Sequence, residues 1–249
     1  GKKDYSYHNY PLERMENAIR WLEKEGNRKI GIIGASTTAT LSLVTASFFP
    51  DISLTLAFSP SDFIFQGFAQ GRKDGCEEWP IENESLFTYR GNPLPYLPFV
   101  YSHPEYWKRI QKEKKETGNL LASRSIFDDS EKAHPIRDEE YIKTENIHGE
   151  LFLIGSEDDS MWDTAKYIRR MQERISKKNP SPNVTCLIYP HGTHFLFPQS
   201  LLHRIFPVGS SLILKILFRD ARKYAKECQA TRIDLDKRID EAIKMWKIG

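Results

Sequence analysis

The sequence predicts an α/β fold, a mostly parallel sheet flanked by helices, on three observations. Four short apolar runs occur at 29–33, 52–58, 150–154 and 184–189, and stretches with helical spacing follow them. Each run has the length of a strand buried on both faces, and the alternation is that of βαβ units. Residues able to do chemistry (Ser36, Asp158, Asp159 and His194) fall just after three of the runs. In such sheets ligands and catalysis gather at the carboxyl ends of the strands.

The elements follow in order. Residues 11–25 form a helix: Pro11 suits the first turn, Leu12, Met15, Ile19 and Leu22 share one face, and Gly26 stops it. The strand at 29–33 meets Gly34-Ala35-Ser36-Thr37-Thr38, and a helix runs from there to about Phe48, ended by Pro50. Asp51 starts the tight return into the strand at 52–58. The alternation then stops for some ninety residues rich in aromatics and prolines. A structureless loop of that length is improbable, so a helical, aromatic cap inserted at about 60–147 is expected within one domain spanning 1–249. The strand at 150–154, a helix at 163–177 with Ala165, Ile168, Met171 and Ile175 inward, and the strand at 184–189 resume the pattern. A helix at about 209–226 and a final amphipathic helix with Leu235, Ile239, Ala242 and Trp246 on one face complete the chain.

The chain's 249 residues suffice for one large α/β domain. A net charge of +2 makes no strong electrostatic case for nucleic acid, a membrane surface or a polyanionic substrate. The mixed run at 112–116 is expected to be a solvated helix face. No apolar run approaches the roughly 18 residues of a membrane span, and no signal peptide is visible. Gly1-Lys2-Lys3 lacks an initiator methionine, as a trimmed N-terminus does. Cys76, Cys186 and Cys228 are too few and too spread for a disulfide framework, which favours a reducing, cytoplasmic setting. Oligomeric state is not legible in the composition.

The stretch Lys29 to Thr40, KIGIIGASTTAT, carries the chemistry. A strand, a sharp turn with a serine, and a helix form a nucleophile elbow, which lifts the hydroxyl above the sheet and backs it with free helix N–H groups. A serine needs a base, and the base needs a carboxylate to fix its tautomer. His194 is the candidate base and Asp159 the candidate acid, with Asp158 as the alternative. The backbone N–H of Thr37 is the candidate oxyanion donor. Each residue type is common in its setting by itself. The order Ser, Asp, His at successive strand ends, which is that of α/β-hydrolases, makes the combination informative. His191 and His194 lack a third ligand at sensible spacing, so no metal is expected, and no cofactor.

The chain resembles the C-terminal catalytic domain of the acyl-CoA thioesterase and bile-acid-CoA:amino-acid N-acyltransferase family, an α/β-hydrolase group. The matching pieces are Gly31-Ile32-Ile33-Gly34-Ala35-Ser36, Phe49-Pro50-Asp51-Ile52, Leu153-Ile154-Gly155 with Asp159-Ser160-Met161-Trp162, and Tyr189-Pro190 with His194. The resemblance covers most of residues 10–205. It places the triad acid on Asp159 through the D-x-x-W spacing. It also implies hydrolysis, because thioesterases of the family carry serine where the transferases carry cysteine. Thr37-Thr38 stands where members have Lys-Gly. The first strands of the usual sheet, and the loop that supplies a second oxyanion N–H, have no counterpart in this sequence.

The expectation is a serine hydrolase that cleaves acyl thioesters, small-molecule substrates, through acyl-Ser36. Phe63, Phe65, Trp79, Phe87, Tyr96, Phe99, Tyr101 and Trp107 of the cap would cover the acyl site. A carboxylic-ester or dienelactone-type hydrolase with the same triad, and a catalytically impaired hydrolase-like binding module, are the alternatives.

Overall fold

A computed structural model of the chain describes residues 6–70, 78–178 and 183–248. Gly1, Lys2, Lys3 and Cys76 lie outside the described residues, and Cys186 and Cys228 are free thiols. Two short strands, β1 (Ser6–Tyr7) and β2 (Tyr10–Pro11), precede helix α1 (Glu13–Lys24). Then come β3 (Ile30–Ala35), α2 (Thr37–Phe48) and β4 (Ile52–Phe58). The middle of the chain holds β5 (Gln66–Gln70), β6 (Glu78–Ser85), β7 (Phe87–Tyr89), β8 (Asn92–Pro93), α3 (Glu105–Thr117) and α4 (Arg124–Ala133). The last part is β9 (Glu150–Ser156), α5 (Thr164–Lys178), β10 (Asn183–Tyr189), α6 (Gln199–Ile205), α7 (Ser210–Leu217), α8 (Arg219–Lys223) and α9 (Ala225–Ile248).

The four apolar runs of the sequence pair into one parallel sheet in the order β10-β9-β4-β3. Its register sets Ala35 beside Phe58, Phe58 beside Ile154, and Ser156 beside Tyr189. All four carboxyl ends therefore open at one edge of the domain. Successive side chains face opposite sides of the sheet, as the pleat requires. Ala57, Leu151 and Leu153 join a core with Leu43 of α2 and Ile168 and Met171 of α5. Leu54, Leu56, Phe58, Phe152 and Ile154 join a second core with Leu235 and Ile239 of α9. Ala242 and Trp246 pack against that second core, so the apolar stripe of α9 covers one face of the sheet. Among the described residues β3 has a strand neighbour on one side only, and Ile33 on it is 55% exposed.

The middle segment departs from a purely helical cap. Alongside α3 and α4, β5 and β6 pair antiparallel with each other, and β1 pairs with β5. β7 pairs with β8 and with β2. These strands were illegible because Pro80 and Pro93 interrupt them and the register shifts between Gln66 and Phe68. The run at 112–116 is not wholly solvated either. Glu113 is buried, and its carboxylate accepts from the backbone N–H and hydroxyl of Ser125 in the first turn of α4. The single helix expected at 209–226 is broken at Phe218 and Tyr224, whose backbones leave the helical region. Phe218 is buried against Phe195, and that packing outweighs local helix propensity.

Candidate active site

Ser36 sits between β3 and α2 with φ 57 and ψ −129, a strained conformation for a side-chain-bearing residue. The turn is tight because strand and helix nearly touch at Gly34. A β-carbon there would stand 2.1 Å from the Thr38 carbonyl oxygen and 2.4 Å from Ser42 Oγ. Thr38, at the position where glycine was expected, has room. Its hydroxyl donates to the Ala35 carbonyl at 2.7 Å and accepts from the Ala35 N–H at 2.9 Å. Those are outward-facing groups of the edge strand, and a glycine would leave them without this partner.

His194 lies after β10 and Asp159 after β9. The fold brings His194 to Ser36 across 158 residues of sequence and Asp159 to His194 across 35. His194 Nδ1 donates to Asp159 Oδ2 at 2.9 Å, with Oδ1 at 3.0 Å. A carboxylate can only accept, so the Nδ1 side carries the proton and Nε2 is left as the acceptor. Ser36 Oγ then donates to His194 Nε2 at 2.8 Å. His194 and Asp159 are each 2% exposed, so water competes little for these bonds.

Neighbouring groups hold both residues. Asp159 Oδ1 accepts from the Met161 N–H at 2.9 Å and the Trp162 N–H at 3.4 Å, while Oδ2 accepts from the Thr164 hydroxyl. The Trp162 ring meets the imidazole edge-on with centroids 4.8 Å apart. Its Nε1–H donates to the Ser59 carbonyl at 3.2 Å, and the Ser59 hydroxyl donates to the His194 carbonyl at 2.7 Å. Ser59, at the end of β4 with φ 48, thus ties three strand ends together. Sequence reasoning missed it, although its place just after an apolar run was the available signal.

Asp158 does not face His194. Its Oδ1 accepts from the N–H groups of Gly192 at 3.0 Å and Thr193 at 2.8 Å, and Oδ2 takes His191 Nδ1 at 3.2 Å. The Ser156 hydroxyl adds a bond to the Thr193 carbonyl at 2.8 Å. Asp158 therefore anchors the loop that presents His194, and Thr193 in that loop has φ 60.

The backbone N–H of Thr37 opens α2. The helix bonds begin with Ala39 and Thr40, which donate to the Ser36 carbonyl. The N–H groups of Thr37 and Thr38 precede them and face the helix N-terminus, where partial positive charge accumulates. A cavity of about 270 Å³ lies over Ser36 and Thr37, walled by Phe65, Phe68, Phe99, Phe127, Trp162 and Phe195. Of the eight cap aromatics singled out in the sequence, Phe65 and Phe99 line it. Phe63 and Phe87 are buried in the core instead. A larger groove of about 660 Å³ lies against Ser53, Gly149 and Trp246, at the amino ends of the strands, and touches none of these residues. Among the described residues no cluster of His, Cys, Asp and Glu could hold a metal ion.

The model of the family described as BAAT / Acyl-CoA thioester hydrolase C terminal matches residues 10–206. The matched stretch runs from β2 to just beyond α6 and contains Ser36, Asp159 and His194. Among curated proteins, none matches the chain.

Proposed function

Because the chain belongs to the BAAT / acyl-CoA thioester hydrolase C-terminal family, we propose that it hydrolyses acyl thioesters through an acyl-Ser36 intermediate. One observation carries this reading: Ser36 Oγ, His194 and Asp159 lie in hydrogen-bond sequence beneath an aromatic cavity. Ser36 Oγ attacks the thioester carbonyl carbon as His194 Nε2 takes the hydroxyl proton. The oxygen that becomes negative is stabilised by the Thr37 N–H and the N-terminus of α2. On collapse the C–S bond breaks, and His194 returns the proton to the departing thiolate. A water molecule then gives a proton to His194 and attacks the acyl-serine carbonyl; the C–Oγ bond breaks as His194 returns that proton to Ser36 Oγ, and the carboxylic acid is released. Asp159 stays ionised, holding the imidazole and balancing its transient charge. The apolar cavity accepts the acyl chain.

Release of free thiol from a panel of acyl-CoA substrates, alongside p-nitrophenyl esters, tests the assignment. We expect thioester turnover, labelling of Ser36 by a fluorophosphonate probe, and loss of both in Ser36→Ala. Ester turnover with no acyl-CoA turnover would replace the thioesterase reading by that of an ester hydrolase with the same triad. Absence of labelling in folded protein at neutral pH would favour a binding module.

A further inference from the structure

We infer that the hairpin formed by α6, α7 and α8 docks on an anionic lipid surface. The inward side of this unit is a small core of its own, with Leu202, Leu214, Phe218 and Ala221 buried together. Its outward side carries Ile205, Phe206, Val208, Leu212 and Ile216, with Val208 88% and Leu212 62% exposed. Isolated exposed apolar residues are ordinary. Five within twelve residues, around the bend between two helices, make a patch of the kind that marks an interaction surface.

Charge selects the partner. Residues 199–223 hold five of the chain's 36 cations and one of its 34 anions, so they are +4 in a chain whose total is +2. Arg204, Arg219, Arg222 and Lys223 are exposed and Lys215 is half-buried. Among the described residues none of the five makes an ion pair. An apolar tip on a segment whose cations make no ion pair among the described residues matches the boundary of an anionic bilayer, where the former enters the acyl region and the latter meet the headgroups. A second copy of the chain would set +4 against +4, which opposes self-association through this face. The two helices meet at 93°, and no single helix among the described residues is long and apolar enough to cross a membrane, so the hairpin would lie in the interface.

The inward side of the hairpin packs against a wall of the cavity at Ser36. Phe218 of the hairpin packs edge-on against Phe195, with centroids 5.5 Å apart, and Phe195 is a wall of that cavity. Docking would bring the cavity close to the phase in which long acyl chains and their acids partition. The test reads partitioning and so stands apart from whether Ser36 is the nucleophile.

The whole chain is sedimented with vesicles of phosphatidylcholine alone and of phosphatidylcholine with phosphatidylserine. We expect binding to the anionic vesicles that weakens as salt is raised. Lys215→Gln and Arg222→Gln should each lower the partition coefficient about fivefold. Val208→Asp with Leu212→Asp should lower it at least tenfold, with an unchanged circular-dichroism melt because both sites are exposed. No binding to anionic vesicles, or equal binding by the Val208→Asp/Leu212→Asp variant, would overturn the inference. So would a dimer in light scattering that this variant converts to monomer, since the patch would then belong to a second copy.

Discussion

Replacing Asp159 by asparagine perturbs the candidate site by one atom, and the surrounding donors dictate the result. Asp159 Oδ1 is held by the N–H groups of Met161 and Trp162, so the amide oxygen of an asparagine must take that place. The NH₂ then occupies the Oδ2 position, facing His194 Nδ1 and the Thr164 hydroxyl. An NH₂ donates, and Nδ1 can accept it only after losing its own proton. The imidazole would carry its hydrogen on Nε2, aimed at Ser36 Oγ, where it cannot take a proton. A wrong tautomer in an otherwise intact triad costs about 10⁴ in rate, about 5 kcal/mol of barrier. Thiol release measured as kcat/KM should fall by that amount, while the thermal midpoint changes little because shape and bonds to Met161 and Trp162 persist. Activity within tenfold of the parent chain would refute the tautomer argument and with it the role of Asp159.

Asp158→Ala removes the acceptor of two loop N–H groups rather than the partner of His194. It should cost about 2 kcal/mol of stability and about 10² in rate through misplacement of the loop, with the pH profile of the remaining activity unmoved. A rate loss equal to that of Asp159→Asn would exchange the two assignments. Gly34→Ala forces a β-carbon to 2.1 Å from the Thr38 carbonyl and should cost about 3 kcal/mol. The thermal midpoint should drop by about 6–12 °C at this chain length, and a drop under about 2 °C would refute the tight elbow. Arg170 donates to both oxygens of the buried Asp62, at 2.7 and 2.6 Å. Burial still pushes that carboxyl up, to about 6, against the pull of Arg170. Arg170→Met should destabilise by about 3 kcal/mol at neutral pH. With the carboxyl raised further above its unfolded value, the native state binds the proton more readily, so the loss should shrink as pH falls through the raised value. Denaturant midpoints at pH 5 and pH 8 check this, and an equal loss at both would refute it.

Much of the sheet was legible because its central strands β4 and β9, buried on both faces, read as nearly uninterrupted apolar runs, and the runs of the more exposed outer strands β3 and β10 became strands as well. The helix α5 and the stripe on α9 were legible because their buried residues recur at helical spacing. The strands of the middle segment were not, since prolines and a register shift erase a two-residue period. Glu113 looked solvated because nothing in its local sequence announces the N-terminus of α4 that it meets. Ser59 offered only its place after an apolar run, as its bonds run to groups placed by other elements.

The sequence by itself determined the α/β class, the elbow at Ser36 and the candidate set Asp158, Asp159 and His194. Strand ends and turn chemistry are local properties, written in neighbouring residues. Position after a strand left the acid as a choice between adjacent aspartates, and the family resemblance chose Asp159 through the D-x-x-W spacing. The tertiary structure decided the geometry by turning Asp158 toward Gly192 and Thr193 and Asp159 toward the imidazole. It likewise selected Phe65 and Phe99 from the cap aromatics and exposed the apolar tip around Val208. Side-chain direction at a loop depends on contacts across the sheet, and those exist only once strands far apart in the chain have paired.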